Sequence, residues 1–178
     1  MKIRWMSRFS MLWYSAGMRV MGVDPGIATT GVGIIDKTGN RWQLCHYGAI
    51  ITQAHTALPI RLGLLYTDLC GLIRTHSPDS MAIEELFFNT NAKTALVVGQ
   101  ARGVMLLAAH LHHLPVFSYT PVQVKIGVTG YGRADKLQVQ TMVKQLLGLD
   151  TIPKPDDAAD ALAIAICHGH SVRLKSLA

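Results

Sequence analysis

The acids of this chain are few, and several stand in costly places. Only eleven of its 178 residues are Asp or Glu. Asp24 follows the apolar run Val20-Met21-Gly22-Val23, and Glu84-Glu85 follows Met81-Ala82-Ile83. Asp156, Asp157 and Asp160 open the last helical stretch. A carboxylate at the end of a buried strand is costly unless a cation meets it. Asp157 and Asp160, three residues apart, share one helix face. In an α/β sheet the ends of two neighbouring strands and a helix N-terminus can converge on one point. Three or four carboxylates gathered there repel one another, and a hard divalent cation relieves that repulsion. An all-oxygen donor set selects Mg²⁺ or Mn²⁺ over zinc. Four carboxylates suit two such ions about 3.5–4 Å apart, an arrangement that serves nucleases and phosphatases. One ion would lower the pKa of a water to make the nucleophile, and the other would stabilise the leaving oxygen of an in-line displacement at phosphorus.

Plainer roles compete for the same residues. Asp156 follows a Pro-rich turn and suits a helix N-cap. Asp157 and Asp160 suit the positive end of a helix dipole. Glu85 suits a solvated strand end. Spacing alone leaves open the choice of Glu84 or Glu85, and of the pair 156/160 or 157/160.

The elements that must position these acids follow from periodicity. Val20 to Val23, Gly31 to Ile35 and Trp42 to Ile51 read as strands, closed by the turns Asp24-Pro25-Gly26 and Asp36 to Asn40. Such short turns imply an antiparallel meander. Leu58, Leu62, Leu65, Leu69, Leu72 and Ile73 form a stripe that predicts a helix over about 58–75. A short strand, Ser80 to Glu84, then leads to a helix rich in Ala and Gly over 91–112. A fifth strand covers 115–119, and helices are expected over 121–127, 135–147 and 157–170. Gly127 to Gly132 reads as a Gly-rich loop suited to close backbone approach. Three meandering strands followed by αβ crossovers imply an α/β fold: a mixed five-stranded sheet, three antiparallel strands then two parallel, flanked by helices on both faces.

Bulk numbers narrow the function classes. The chain is 49% hydrophobic and carries 17 Lys+Arg, for a formal charge of +6. This is one domain with a core, and its charge suggests a polyanionic partner. Half of that charge, Lys2, Arg4 and Arg8 without an acid, sits in residues 1–17. That stretch resembles a poor signal peptide but reads more simply as a dispensable extension or a misassigned start, because a strand begins directly after Met18. Residues 18–171 form the expected domain, with 172–178 as a tail. No apolar run is long enough for a transmembrane helix. Cys45, Cys70 and Cys167 read as buried free thiols, and His110, His112, His113, His168 and His170 as imidazoles at helix ends.

Five segments together resemble the RuvC family of bacterial Holliday junction resolvases. They are Gly22-Val23-Asp24-Pro25-Gly26, Ala82-Ile83-Glu84-Glu85-Leu86-Phe87, Gly99-Gln100-Ala101-Arg102-Gly103, Lys136-Leu137-Gln138-Val139-Gln140 and Asp157-Ala158-Ala159-Asp160-Ala161-Leu162-Ala163. The match runs from about Met18 to Ser171, with every motif in order. It implies an RNase H-like fold, a homodimer and a metal-dependent endonuclease that nicks two opposed strands of a four-way DNA junction. The nicks would carry ligatable 5′-phosphate and 3′-hydroxyl ends. It also implies two divalent cations per subunit, the branch-migration proteins RuvA and RuvB as partners, and a cytoplasmic, nucleoid-associated setting without a membrane.

The resemblance selects Asp24, Glu84, Asp157 and Asp160 as catalytic metal ligands and leaves Asp156 as the cap. It makes Lys125 and Lys136 basic residues near the scissile phosphate and junction, and Phe87 an aromatic near the crossover, where stacking on a base is worth about 1–3 kcal/mol. Arg102 and Arg133 become expected phosphate contacts. A helix of the 92–109 region would contribute to the dimer interface. Two other readings remain. Gly-x-Asp-x-Gly after a strand also resembles the phosphate loop of actin-like ATPases and sugar kinases, though one lobe is present where those need two. A junction-binding relative without activity is the other. With four acids assigned to metal, residues 18–178 keep fourteen bases against seven acids, the surface a metal-dependent DNA nuclease needs.

Overall fold

The computed structural model describes the backbone of residues 17–39, 41–86 and 92–175, and the side chains of these outside 92–94 and 173–175. The elements follow as β1 Arg19–Asp24, β2 Thr29–Thr38, β3 Arg41–Ile51, α1 Leu58–His76, β4 Ser80–Glu84, α2 Ala92–Leu111, β5 Val116–Tyr119, α3 Pro121–Thr129, α4 Lys136–Leu146 and α5 Asp156–Lys175. The sheet order is β3-β2-β1-β4-β5. β1 pairs antiparallel with β2 and β2 with β3, while β4 runs parallel to both β1 and β5. This is the expected mixed sheet.

Strand alternation splits the interior into two cores, one on each face. Met21, Val23, Ile34, Met81 and Ile83 pack with Leu65, Leu69 and Ile73 of α1 and Ala101, Met105 and Ala108 of α2. Val20, Ile35 and Ala82 face the other way, onto Leu162 to Cys167 of α5, with α3 and α4 packed outside it. The predicted Leu stripe of α1 is the face that is buried. α5 is buried from Ala161 to Gly169, which its all-round apolar sequence requires.

Glycines set how closely α5 lies on the sheet. A Cβ on Gly22 would stand 2.0 Å from the Ala161 carbonyl oxygen, and one on Gly31 would stand 1.9 Å from that of Asp157. Gly33 faces Leu162 in the same way and pairs with Gly22 across β1 and β2. The bare strip lets helix backbone rest directly on strand backbone.

Three expectations change. Gly127 belongs to α3, not to a loop: its missing side chain makes room for Cys167, whose Sγ would stand 2.7 Å from a Cβ there. Cys45 is exposed, because it lies with Gln43 and Tyr47 on the outward face of the edge strand β3. His168 is buried rather than at a wet helix end. Its Nε2 is 3.0 Å from Ser80 Oγ and its Nδ1 2.7 Å from the Tyr119 hydroxyl, so one imidazole ties α5 to β4 and β5.

Candidate active site

β1 and β4 are adjacent and parallel, so they end side by side, as ligand sites at strand C-termini require. Their register pairs Val20 with Ser80, Gly22 with Ala82 and Val23 with Ile83. Asp24 and Glu84 are each the next residue and the last of its strand. Alternation carries Asp24 the way of Gly22 and Glu84 the way of Ala82, onto the α5 face. Glu84 is half-buried there, whereas Glu85 is exposed. Asp24 also pairs with Gly31, the residue on which the Asp157 backbone rests. The glycine strip thus lowers the start of α5, with Asp157 in its first turn and Asp160 in the next, toward the ends of β1 and β4.

The electrostatics show this convergence. Burial pushes the Asp24 carboxyl up to about 7, with added repulsion from Glu84, Asp160 and Asp157 and partial relief from Lys136. Burial and then Asp160 raise Glu84. Burial also raises Asp160, against the hydrogen bond and charge of Lys136. A carboxyl held as high as that of Asp24, beside two others that are also raised, lacks positive charge around it. Its donors are all carboxylate oxygens, the set that hard divalent cations prefer. Among the described residues, no three such groups close on one point as they stand. One oxygen of Asp160 is engaged by Lys136 Nζ at 3.2 Å. In donor type and charge the residues fit a divalent cation, and Asp160 can join the others by releasing Lys136.

The remaining site residues fall into place unevenly. Lys136 opens α4 and lies against the cluster, also 3.3 Å from Asp156 Oδ2. Lys125 is half-buried on α3, and Arg133 is exposed in the turn before α4. Phe87, and residues 1–16 of the N-terminal extension, lie outside the described residues.

Asp156 is not the expected cap. The Pro155 carbonyl accepts from the amides of Ala158 and Ala159, at 3.0 and 3.3 Å, so Pro155 stands at the cap position. Asp156 is the first helical residue, and its carboxylate meets Lys154 and Lys136 instead. The Lys-Pro-Asp triplet was a local signal for the first of these pairs.

Arg102 has an internal role that sequence reasoning missed. Its Nε donates to the Glu84 carbonyl at 3.2 Å and its Nη2 to Ser118 Oγ at 2.8 Å, joining α2 to the ends of β4 and β5. The side chain acts as a clamp on the strand end that carries Glu84. Arg102→Ala should therefore lower stability by about 1.5–3 kcal/mol, the usual range for hydrogen bonds of a charged group. Thermal melting measures this, and an unchanged melting temperature would remove the clamp.

Comparison with known proteins agrees with this architecture. The family model for crossover junction endodeoxyribonuclease RuvC matches residues 20–168. A crossover junction endodeoxyribonuclease RuvC of Alkaliphilus oremlandii is 58% identical over 154 residues, 86% of this chain and 94% of the relative. Thermus thermophilus RuvC, solved in complex with a Holliday junction substrate, superposes with a TM-score of 0.86 at 36% identity, covering 89% of this chain and 97% of the other. Another Thermus thermophilus RuvC structure gives 0.83 at 35% identity, over 89% and 98% of the two chains.

Proposed function

Because the chain belongs to the RuvC family of crossover junction endodeoxyribonucleases, we propose that it resolves four-way DNA junctions by metal-dependent hydrolysis. The observation that supports this is the charge that Glu84, Asp160 and Asp157 exert on the buried Asp24, at the ends of β1 and β4 and the start of α5. Asp24, Glu84, Asp157 and Asp160 would hold two divalent cations per subunit, Mg²⁺ or Mn²⁺. Bound there, such ions activate a water and offset charge on the phosphate.

The chain's own residues do the rest. The four carboxylates would bind the ions, so that their own charge no longer opposes the DNA. Lys136, beside the cluster, offers an ammonium to phosphate oxygens, with Lys125 and Arg133 as further phosphate contacts. Arg102 contributes by holding β4. Phe87 serves the crossover, where an aromatic can stack on an unpaired base.

A junction is two-fold symmetric, and a homodimer matches it with two sites. Leu96, Leu107 and Leu111 are exposed on α2, apolar surface that supports an interface there. Each subunit would nick one of two opposed strands, leaving 5′-phosphate and 3′-hydroxyl ends for a ligase. Residues 18–171 form the nuclease domain, working with RuvA and RuvB on the nucleoid in the cytoplasm. No helix of the described residues is long and apolar enough to cross a membrane.

Cleavage of a synthetic four-way junction against plain duplex, with and without Mg²⁺ or Mn²⁺, tests this reading. Paired nicks in the junction alone, only with metal, are expected. Binding without cutting would instead make the chain an inactive junction binder.

A further inference from the structure

We propose that Asp156 is a positioning residue that keeps the Lys136 ammonium beside the carboxylate cluster when a divalent cation takes over Asp160. The inference rests on the metal-nuclease reading above. Lys136 starts from a fixed point. It is the first residue of α4, and the turn before it is locked by a capping box: the Gln138 amide donates to Asp135 Oδ1 at 2.8 Å, and the Asp135 amide donates to Gln138 Oε1 at 2.9 Å. From there its Nζ reaches the first turn of α5. It stands 3.2 Å from Asp160 Oδ2 and 3.3 Å from Asp156 Oδ2. The other Asp156 oxygen accepts from Lys154 Nζ at 2.6 Å. Lys154, Asp156, Lys136 and Asp160 thus form a row of alternating charge.

The two carboxylates that share Lys136 are not equivalent. Asp160 acts on Asp24, as Glu84 and Asp157 do, whereas Asp156 is the more exposed of the two and is shared between Lys136 and Lys154. A cation bound at the cluster changes the balance at Lys136 in two ways. It recruits the Asp160 oxygens, and its own charge repels the ammonium. Half of the Lys136 side chain is exposed, so without a second anion it would turn to water. Asp156 is that anion. It lies on the outer side of Lys136 from Asp160, and Lys154 holds one of its oxygens so that the other faces Lys136. An ammonium kept there remains available to a phosphodiester at the cluster.

The test combines kinetics, metal binding and amine labelling on the full chain. Asp156→Ala should lower kcat about tenfold through loss of position, with the affinity for Mn²⁺ unchanged by titration calorimetry. Lys136→Ala should lower it at least as far, and adding Asp156→Ala to Lys136→Ala should do nothing more. Acetic anhydride labelling of Lys136 in Mg²⁺-saturated protein, read by mass spectrometry, should be severalfold faster in Asp156→Ala. Asp156→Glu should restore both the rate of cleavage and the protection. Independent, multiplying effects of the two substitutions would overturn the proposal, as would equal labelling. A loss of Mn²⁺ affinity matching that of Asp157→Ala would make Asp156 a metal ligand instead. A wild type that binds Mn²⁺ but cuts no junction would sink the nuclease reading, and the labelling result would still decide the place of Lys136.

Discussion

Asp24→Asn should give a protein that binds a four-way junction without cutting it, and that is more stable than the wild type in metal-free buffer at pH 8. The first half follows from removing a carboxylate on which all the others converge. The second follows from the proton that Asp24 holds. Its carboxyl is raised to about 7 in the folded chain, by burial and then by Glu84, Asp160 and Asp157, against about 3.9 for an unperturbed Asp. The folded chain therefore binds this proton more tightly than the unfolded one. That contribution is fully present below about pH 4 and is lost as pH rises through about 7. The difference corresponds to on the order of 4 kcal/mol. Glu84 and Asp160 are raised as well and add to the same trend.

Asparagine carries no charge to desolvate, so the variant avoids the loss. Melting temperatures should coincide near pH 4 and separate by pH 8, with the variant higher. Mg²⁺ should raise the wild-type value at pH 8, where the cluster is charged, and do little at pH 5. Coincident melting curves at pH 8 would show that the cluster carries no such strain. Cutting at the wild-type rate would remove Asp24 from the chemistry.

Gly31→Ala should damage metal binding without touching a carboxylate. The new methyl would stand 1.9 Å from the Asp157 oxygen and 2.4 Å from the Asp157 carbonyl carbon. Both are backbone, so no side chain can swing away and the first turn of α5 must lift. Overpacking of this kind costs about 1–3 kcal/mol. The lift separates Asp157 and Asp160 from Asp24 and Glu84. A displacement of about 1 Å can cost about 100-fold in rate, and Mn²⁺ affinity should fall with it. Gly63→Ala is the contrast, because a Cβ on that α1 residue meets nothing within 4 Å. There the same substitution should stabilise by about 0.5–1 kcal/mol. If Gly31→Ala binds Mn²⁺ like the wild type, the close approach of α5 does not set the site.

Sequence patterns anticipated the part of the site that repeats locally. Acids that end apolar runs mark Asp24 and Glu84, and i, i+3 spacing marks Asp157 and Asp160. The preference for Glu84 over Glu85 came from resemblance, and the fold supplies its physical reason: Ser80, Ala82 and Glu84 face α5. Period two in the sequence separates the faces, but only α5 tells which face matters. What stayed hidden depends on distant partners. The sequence predicts a cap at Asp156 because a cap is a local choice, yet Lys136 of another helix competes for it. It predicts a phosphate contact at Arg102 because nothing near that residue in sequence shows that the Glu84 carbonyl and Ser118 wait for it. His168 finds Ser80 and Tyr119 across 88 and 49 residues, separations that no window captures.

One helix serves both the core and the site. α5 fills the core between the sheet and the outer helices, and its first two turns carry Asp157 and Asp160. A surface loop can open and close while the rest of a domain stays folded, but a central helix cannot leave alone. The proposed cutting centre would therefore share the cooperative unit of this central helix, and unfolding that frees α5 would take the carboxylates apart with it.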